Sequence, residues 1–308
     1  MKRTIEISTR GLHLSGKQKQ LRISEGGNLL GKVPFEDIGV LILDSTELSV
    51  TTHAITSALE RGVAIVFCGK NHHPEGMLLP LSSNTVHQKR FQAQIKASRP
   101  LKKNIWKAIV QSKVQCQGAL LPDGPAKIRL KTLQESVGSG DPKNSEAQAA
   151  RAYWPALFGS SFRRDRYGAQ SNSLLNYGYI VLRAATARAI TATGLAPALG
   201  VHHTSQYNPF CLADDLMEPF RPWVDARVLE LHNEGEYEIT TETKQHLLQV
   251  LTDRIVLNGE EGPLLAAIER SAASLSKAYV AYANKDDDQT VVEIAKTLIL
   301  PQGFPQAA

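Results

Sequence analysis

Cysteine is scarce in this chain: Cys68, Cys116 and Cys211 are the only three in 308 residues. They are odd in number, widely scattered and never arranged as C-x-x-C. That pattern fits a reducing cytoplasm and argues against a thiolate zinc knuckle or ribbon. Long hydrophobic runs are missing as well. Ile38 to Leu43 and Val63 to Cys68 are the longest, far short of the ~20 apolar residues a membrane span needs. The N-terminus passes from Lys2 and Arg3 straight into the alternating Thr4-Ile5-Glu6-Ile7-Ser8, which reads as a strand and not as a secretory signal. Phosphate-binding loops are absent too. Gly69-Lys70 follows a predicted strand, but Ala64 and Asn71 break the G-x-x-x-x-G-K-[ST] pattern, and no G-x-G-x-x-G occurs. No internal repeat is evident. With 42% apolar and 21% charged residues, the expectation is an ordinary folded cytoplasmic protein with no membrane association, long enough for two domains.

Charge is present, and its distribution says more than its total of +5. Residues 1–85 carry 9 basic and 8 acidic groups, residues 86–227 carry 20 and 9, and residues 228–308 carry 6 and 13. The middle segment is therefore strongly basic. Arg90, Lys96, Lys103, Lys113, Arg163, Arg164 and Arg166 are among its cations. Some of these are solubilising helix charges. A basic segment of this density nevertheless makes nucleic acid the leading partner, because each phosphate contact releases counterions.

Periodicity divides the chain near residue 85. Ile5 with Ile7, Leu12 with Leu14 and Leu21 with Ile23 alternate with polar residues, as strands do. Two buried strands, Ile38–Asp44 and Val63–Cys68, flank a short helix from Thr51 to Arg61 that Gly62 terminates. After residue 85 apolar residues recur at helical spacing from His87 to about Gln117, interrupted at Pro100. A polar stretch, Gly138 to Asn144, leads into helices over Ser145–Phe158 and Ser173–Thr193. Thr243 to Leu300 reads as helical and ends in a mobile Pro/Gly-containing tail. The expected fold is α+β: a small β-rich domain, residues 1–85, then a larger all-α domain, residues 86–308.

The most unusual stretch lies between Gly194 and Asp225. It holds His202 and His203 and then Asp214, Asp215 and Glu218, which share one face if the segment is helical. Three carboxylates on one face repel unless a cation separates them. A solvated acidic surface would explain them only in a polar setting, and Phe210, Leu212, Leu216, Met217, Phe220 and Trp223 make this one apolar. A metal site is the better reading. Glu146, on the first turn of its helix, is ambiguous: a carboxylate there also complements the helix dipole. Arg221 could pair with the acidic cluster or reach a phosphate. His72 and His73 read as surface histidines.

Four motifs occur in order: Glu146 followed by A-x-x-A-R-A-Y-W, then N-S-L-L-N-Y-G-Y from Asn172, G-x-x-P-x-x-G-V-H-H from Gly194, and L-A-D-D-L-M-E-P-F-R from Leu212. Together they resemble the Cas-one family of CRISPR-associated integrases, which insert new spacers into bacterial arrays. The wording around His203 looks most like the branch found with type II systems. The resemblance implies a metal-binding catalytic triad of Glu146, His203 and Glu218. Its histidine stands three places after the motif's second glycine, Gly200, which selects His203 over His202. Many members carry Asp where this chain has Glu218, so Asp215 enters as an auxiliary acidic residue. Tyr153, Asn172 and Tyr177 fall in motif segments and could sit by the site or in the core.

The implied chemistry is attack of a DNA 3′-hydroxyl on a phosphodiester of the repeat, with Mg²⁺ or Mn²⁺ as cofactor. The implied partners are double-stranded DNA (protospacer and repeat), a second copy of the chain in a homodimer through the β-rich domain, and a small Cas-two protein. Arg90, Lys96, Lys103, Arg163, Arg164 and Arg166 are candidate DNA contacts on charge alone. A stand-alone nuclease for branched DNA or a non-catalytic DNA-binding scaffold would be the alternatives.

Overall fold

The computed structural model describes residues 2–69, 74–80, 86–285 and 290–304. His72, His73 and the end of the C-terminal tail lie outside the described residues. The first part folds as strands β1 (Arg3–Ile7), β2 (His13–Lys17), β3 (Gln20–Glu25), β4 (Asn28–Pro34), β5 (Ile38–Leu43) and β6 (Ser49–Val50), helix α1 (Thr52–Glu60), and strands β7 (Ala64–Cys68) and β8 (Pro74–Leu78). Thr51 caps α1 by accepting from the Ala54 amide at 3.2 Å. Gly62, at φ +71°, turns the chain out of it.

Two four-stranded sheets result, in the orders β1-β5-β7-β8 and β4-β3-β2-β6. In the first, β1, β5 and β7 run parallel and β8 is antiparallel. Strand β5 is buried along its whole length, as expected of a parallel strand covered on both faces. Its alternate residues serve two cores. Leu41 and Leu43 pack with Leu14, Leu21, Phe35 and Ala54 inside the β-rich part. Val40 and Ile42 join Val66 and Cys68 in the core of the helical part. The sheet is thus the floor on which the helices sit.

The helices are α2 (His87–Lys96), α3 (Arg99–Leu120), α4 (Pro125–Ser136), α5 (Ser145–Phe158), α6 (Ser171–Ala192), α7 (Cys211–Met217), α8 (Arg221–Glu234), α9 (Thr241–Leu248), α10 (Leu264–Ala283) and α11 (Val291–Lys296). Pro100 does not interrupt a helix. It stands in the first turn of α3, where its missing N–H costs nothing, and Ser98 caps that turn. The region expected to be all helical also carries a hairpin, β9 (Arg254–Leu257) with β10 (Glu260–Pro263). Its turn is Asn258-Gly259, both at positive φ, the strongest short hairpin signal there is.

Helices α3 and α6 run through the middle of the helical core. The first packs against α4, α5, α8 and α11, the second against α7, α8, α9 and α10. The Gly194–Asp225 segment, which contains α7, packs through that helix against α6 and α3.

Candidate active site

Glu146 lies in the first turn of α5, yet it does not cap that helix. Asp141 does: its Oδ1 accepts from the Ser145 amide at 2.8 Å and its Oδ2 from the Glu146 amide at 2.9 Å. The Glu146 carboxylate is left free to reach across to α3. There Lys113 donates from Nζ to Glu146 Oε1 at 2.6 Å. The same Nζ stands 2.6 Å from Glu218 Oε2. Lys113 is only 7% exposed. Burial alone would push its ammonium down, but Glu218 and Glu146 outweigh that and raise it, so it stays charged.

Glu218 opens a 3-10 turn, Glu218–Phe220, between α7 and α8. Pro219 and Pro222 each lack an N–H, which breaks the segment into short pieces. Glu218 is buried, and its Oε1 pairs with Arg221 Nη2 at 2.9 Å. Burial would raise its carboxyl, but Arg221 and Lys113 hold it below the usual range. Arg221 in turn lies over the Tyr179 ring, 4.7 Å from its centroid. The Tyr179 hydroxyl donates to Asp225, as does Tyr153 at 2.8 Å.

The acidic cluster therefore does not share one cation. Glu218 faces Lys113 and Arg221. Asp214 accepts from Arg183 Nε at 2.6 Å and from Asn208 Nδ2 at 2.7 Å. Asp215, fully buried, turns to the preceding loop and accepts from the amides of Val201 at 2.6 Å, His202 at 2.9 Å and His203 at 3.2 Å. Its Oδ1 also meets His203 Nδ1 at 2.6 Å. The repulsion expected from sequence is relieved by the protein's own cations and amides, one set for each carboxylate.

That loop is built tightly. A Cβ on Gly200 would stand 2.1 Å from the His203 carbonyl and 3.0 Å from Asp215 Oδ2, so only glycine lets the chain pass. Trp106 of α3 stacks on His202 at 4.2 Å with the planes 3° apart and meets His203 edge-on at 5.9 Å. The two imidazoles stand at 86° to each other. The hydrogen bond to Asp215 raises His203 above its ordinary value, with burial opposing. In the neutral ring, Nδ1–H donates to Asp215 and the Nε2 lone pair is left for a ligand.

Beside this centre lies a cavity of about 650 Å³ whose wall includes Arg164, Arg166, Arg183, Arg221, Tyr167 and Tyr179. Of the candidate DNA contacts, Arg166 borders it and is exposed. Arg164 is half-buried and donates to Asn172 at 3.0 Å and Asn176 at 2.6 Å. Arg163 is exposed and donates to the Ser160 and Phe162 carbonyls. Lys96 and Lys103 are exposed. Arg90 is half-buried and ties α2 to the end of α6 through the Thr193 carbonyl at 2.8 Å. Tyr153 is buried on Asp225, and Tyr177 is buried with its ring 6.0 Å from Lys244 Nζ. Sequence reasoning missed Lys113 and Trp106. The available signal was a lysine among Ile109, Val110 and Val114 on the inward face of α3.

Donor chemistry here suits a hard divalent ion. Glu146 and Glu218 arrive from separate elements and converge on a single ammonium. Glu218 Oε2 is buried against Lys113 Nζ at 2.6 Å, and His203 offers one nitrogen. Among the described residues, no three acidic, histidine or cysteine side chains stand close enough together to hold a metal as they are placed here.

A helical protein with an acidic, histidine-containing centre beside a basic cavity is the class this geometry defines. Residues 5–259 match the family model described as CRISPR associated protein Cas1. The chain belongs to that family, the one its motifs resemble. It is 39% identical over 269 residues to a CRISPR-associated endonuclease Cas1 of Neisseria meningitidis, covering 86% of this chain and 88% of that one. A Cas1 endonuclease of Pyrobaculum aerophilum is 27% identical over 89% of this chain and 98% of its own length. Among solved structures, a casposase bound to integration product matches with a TM-score of 0.76 at 20% identity, over 94% of this chain and 95% of that one. A CAS1 protein from Thermotoga maritima gives 0.69 at 18% identity, over 90% and 97%. These two share the fold.

Proposed function

We propose that this protein is a divalent-metal-dependent DNA integrase and endonuclease that joins new spacer DNA to a CRISPR repeat by 3′-hydroxyl transesterification. The observation that carries the reading is the convergence of Glu146 and Glu218 on one cation, with the Asp215-braced His203 alongside. Glu146, His203 and Glu218 would hold Mg²⁺ or Mn²⁺, and Asp215 would orient the histidine rather than ligate. When bound, the ion offsets charge on the phosphate under attack and lowers the pKa of the attacking hydroxyl. The cavity arginines would take up the phosphates next to the reacting one, and Arg221 would position Glu218 through its ion pair.

Support for the partners comes from the relatives. One solved neighbour is a casposase on its integration product, and another, at TM-score 0.71, is part of a Cas6-RT-Cas1–Cas2 complex. Protospacer and repeat duplexes, a small Cas-two protein and a second copy of this chain, docked through residues 1–85, are the partners proposed here. No helix among the described residues is long and apolar enough to cross a membrane.

Glu146→Ala tests the reading. Strand transfer into a repeat duplex should be abolished, while duplex affinity stays within a few-fold, because phosphate contacts elsewhere supply the binding. Full transfer by this variant would remove Glu146 from the mechanism.

A further inference from the structure

Lys113 is a buried ammonium 2.6 Å from an oxygen of each carboxylate assigned to the metal. It comes from α3, an element that supplies no ligand. Two oxygens so close to one nitrogen leave no room between them for a second cation, and two cations at that separation would repel strongly. Without any cation, Glu146 and Glu218 would face each other in a largely buried site, which is costly. We propose that Lys113 is a resident counter-cation: it holds the two carboxylates together in the metal-free protein and must release them before both can ligate a divalent ion. It is a positioning residue whose departure sets how tightly the ion is held. This rests on the metal reading above.

The Lys113 ion pair with Glu146 is more open than the one with Glu218: the Glu146 side chain is 26% exposed and that of Glu218 4%. Release therefore begins at Glu146, on the solvent side, and Glu218 keeps Arg221 as a partner throughout.

The test uses the full chain without DNA. Mn²⁺ binding is measured by the electron paramagnetic resonance of free Mn²⁺, with thermal melts taken with and without the ion. Lys113→Met should melt below wild type without metal, bind Mn²⁺ at least tenfold more tightly, and recover its melting temperature when Mn²⁺ is added. Lys113→Arg, which keeps the charge, should bind no more tightly than wild type. A folded Lys113→Met that binds Mn²⁺ as weakly as wild type, while Glu146→Gln abolishes binding, overturns the inference and leaves the metal site standing. Equal Mn²⁺ binding by wild type, Lys113→Met and Glu146→Gln would instead overturn the metal reading itself. If Lys113→Met does not fold, the ¹⁵N resonance of the Lys113 ammonium in wild type decides. Mg²⁺ should shift it, and an unmoved signal at saturating Mg²⁺ overturns the inference.

Discussion

The two halves of the centre are built on different principles. On the His203 side the chain itself is the scaffold: three backbone amides and one imidazole point into Asp215, and Gly200 lets the loop pass beneath them. On the Glu146 and Glu218 side, carboxylates are held by the ends of Lys113 and Arg221, long side chains that can swing. A backbone-built half cannot be repacked by a rotamer change, whereas a half built on ion pairs can exchange one cation for another. Rigid presentation of His203 beside an exchangeable pair of carboxylates is what the proposed metal site would require.

The largest effect that would break this contrast is at Asp215. Replacing it by Ala strands three amides and leaves a cavity under the loop. Stability should fall by about 3–5 kcal/mol, as when one partner of a buried charged network is lost. Asp215→Asn keeps the shape but weakens the hold on His203 Nδ1, and should cut metal-dependent strand transfer by about 10–100-fold. Denaturant unfolding and an integration assay check the two. A loop that tolerates Asp215→Ala without loss of stability would mean it is not backbone-built at all.

The other half should show itself through pH. Asp225 lies behind Tyr179, the ring on which Arg221 rests. Burial pushes its carboxyl up to about 6, with the two tyrosine hydroxyls pulling the other way. A raised carboxyl means the folded protein holds the proton more tightly than the unfolded chain. Stability from this group is then highest below pH 4 and declines as pH rises to about 6, by about 3 kcal/mol in all. Asp225→Asn should flatten that slope. Unfolding free energies at pH 4.5 and 7.5 measure it, and an equal slope in both proteins would place the titration elsewhere.

How much of this was legible beforehand follows from how local each contact is. The α+β division and most helices follow from spacing and caps that act within a few residues. Helix α4 was missed because its pattern is poor: Ile128 is 68% exposed among lysines and an arginine. The β9–β10 hairpin was hidden by helical neighbours, although Asn258-Gly259 marked it. The acidic cluster was visible, but its counter-charges come from Lys113 and Arg183, 105 and 31 residues away from their partners in sequence order. Periodicity carries no trace of such pairs. Glu146, His203 and Glu218 came from motif resemblance, and the residues alone left Glu146 open between cap and ligand; the structure gives the cap to Asp141.

A smaller effect tests the outer rim of the exchangeable half. Arg163 and Arg166 are exposed, whereas Arg164 is bound inward to Asn172 and Asn176. If the exposed pair meets phosphates, replacing both by Gln should lessen the slope of log affinity against log salt by about two, one for each contact. Arg164→Gln should instead loosen the 159–170 loop and leave the slope nearly unchanged. A slope that responds to Arg164 alone would reverse which arginines face the DNA.

The smallest expected effect on stability separates the adjacent histidines. His202 lies flat on Trp106 and makes no hydrogen bond to Asp215 through its ring, while His203 does. His202→Ala removes a stacked pair, at a cost of about 0.5–1.5 kcal/mol, and should keep a substantial fraction of strand transfer. His203→Ala should fold as well as wild type or nearly so, since its ring is 46% exposed, and should lose nearly all Mn²⁺-dependent transfer. Measuring both at saturating Mn²⁺, with melts as the folding control, sets stability against chemistry. A folded His202→Ala that is inactive beside an active His203→Ala would shift the ligand by one residue, and the Asp215 brace would then be holding the wrong ring.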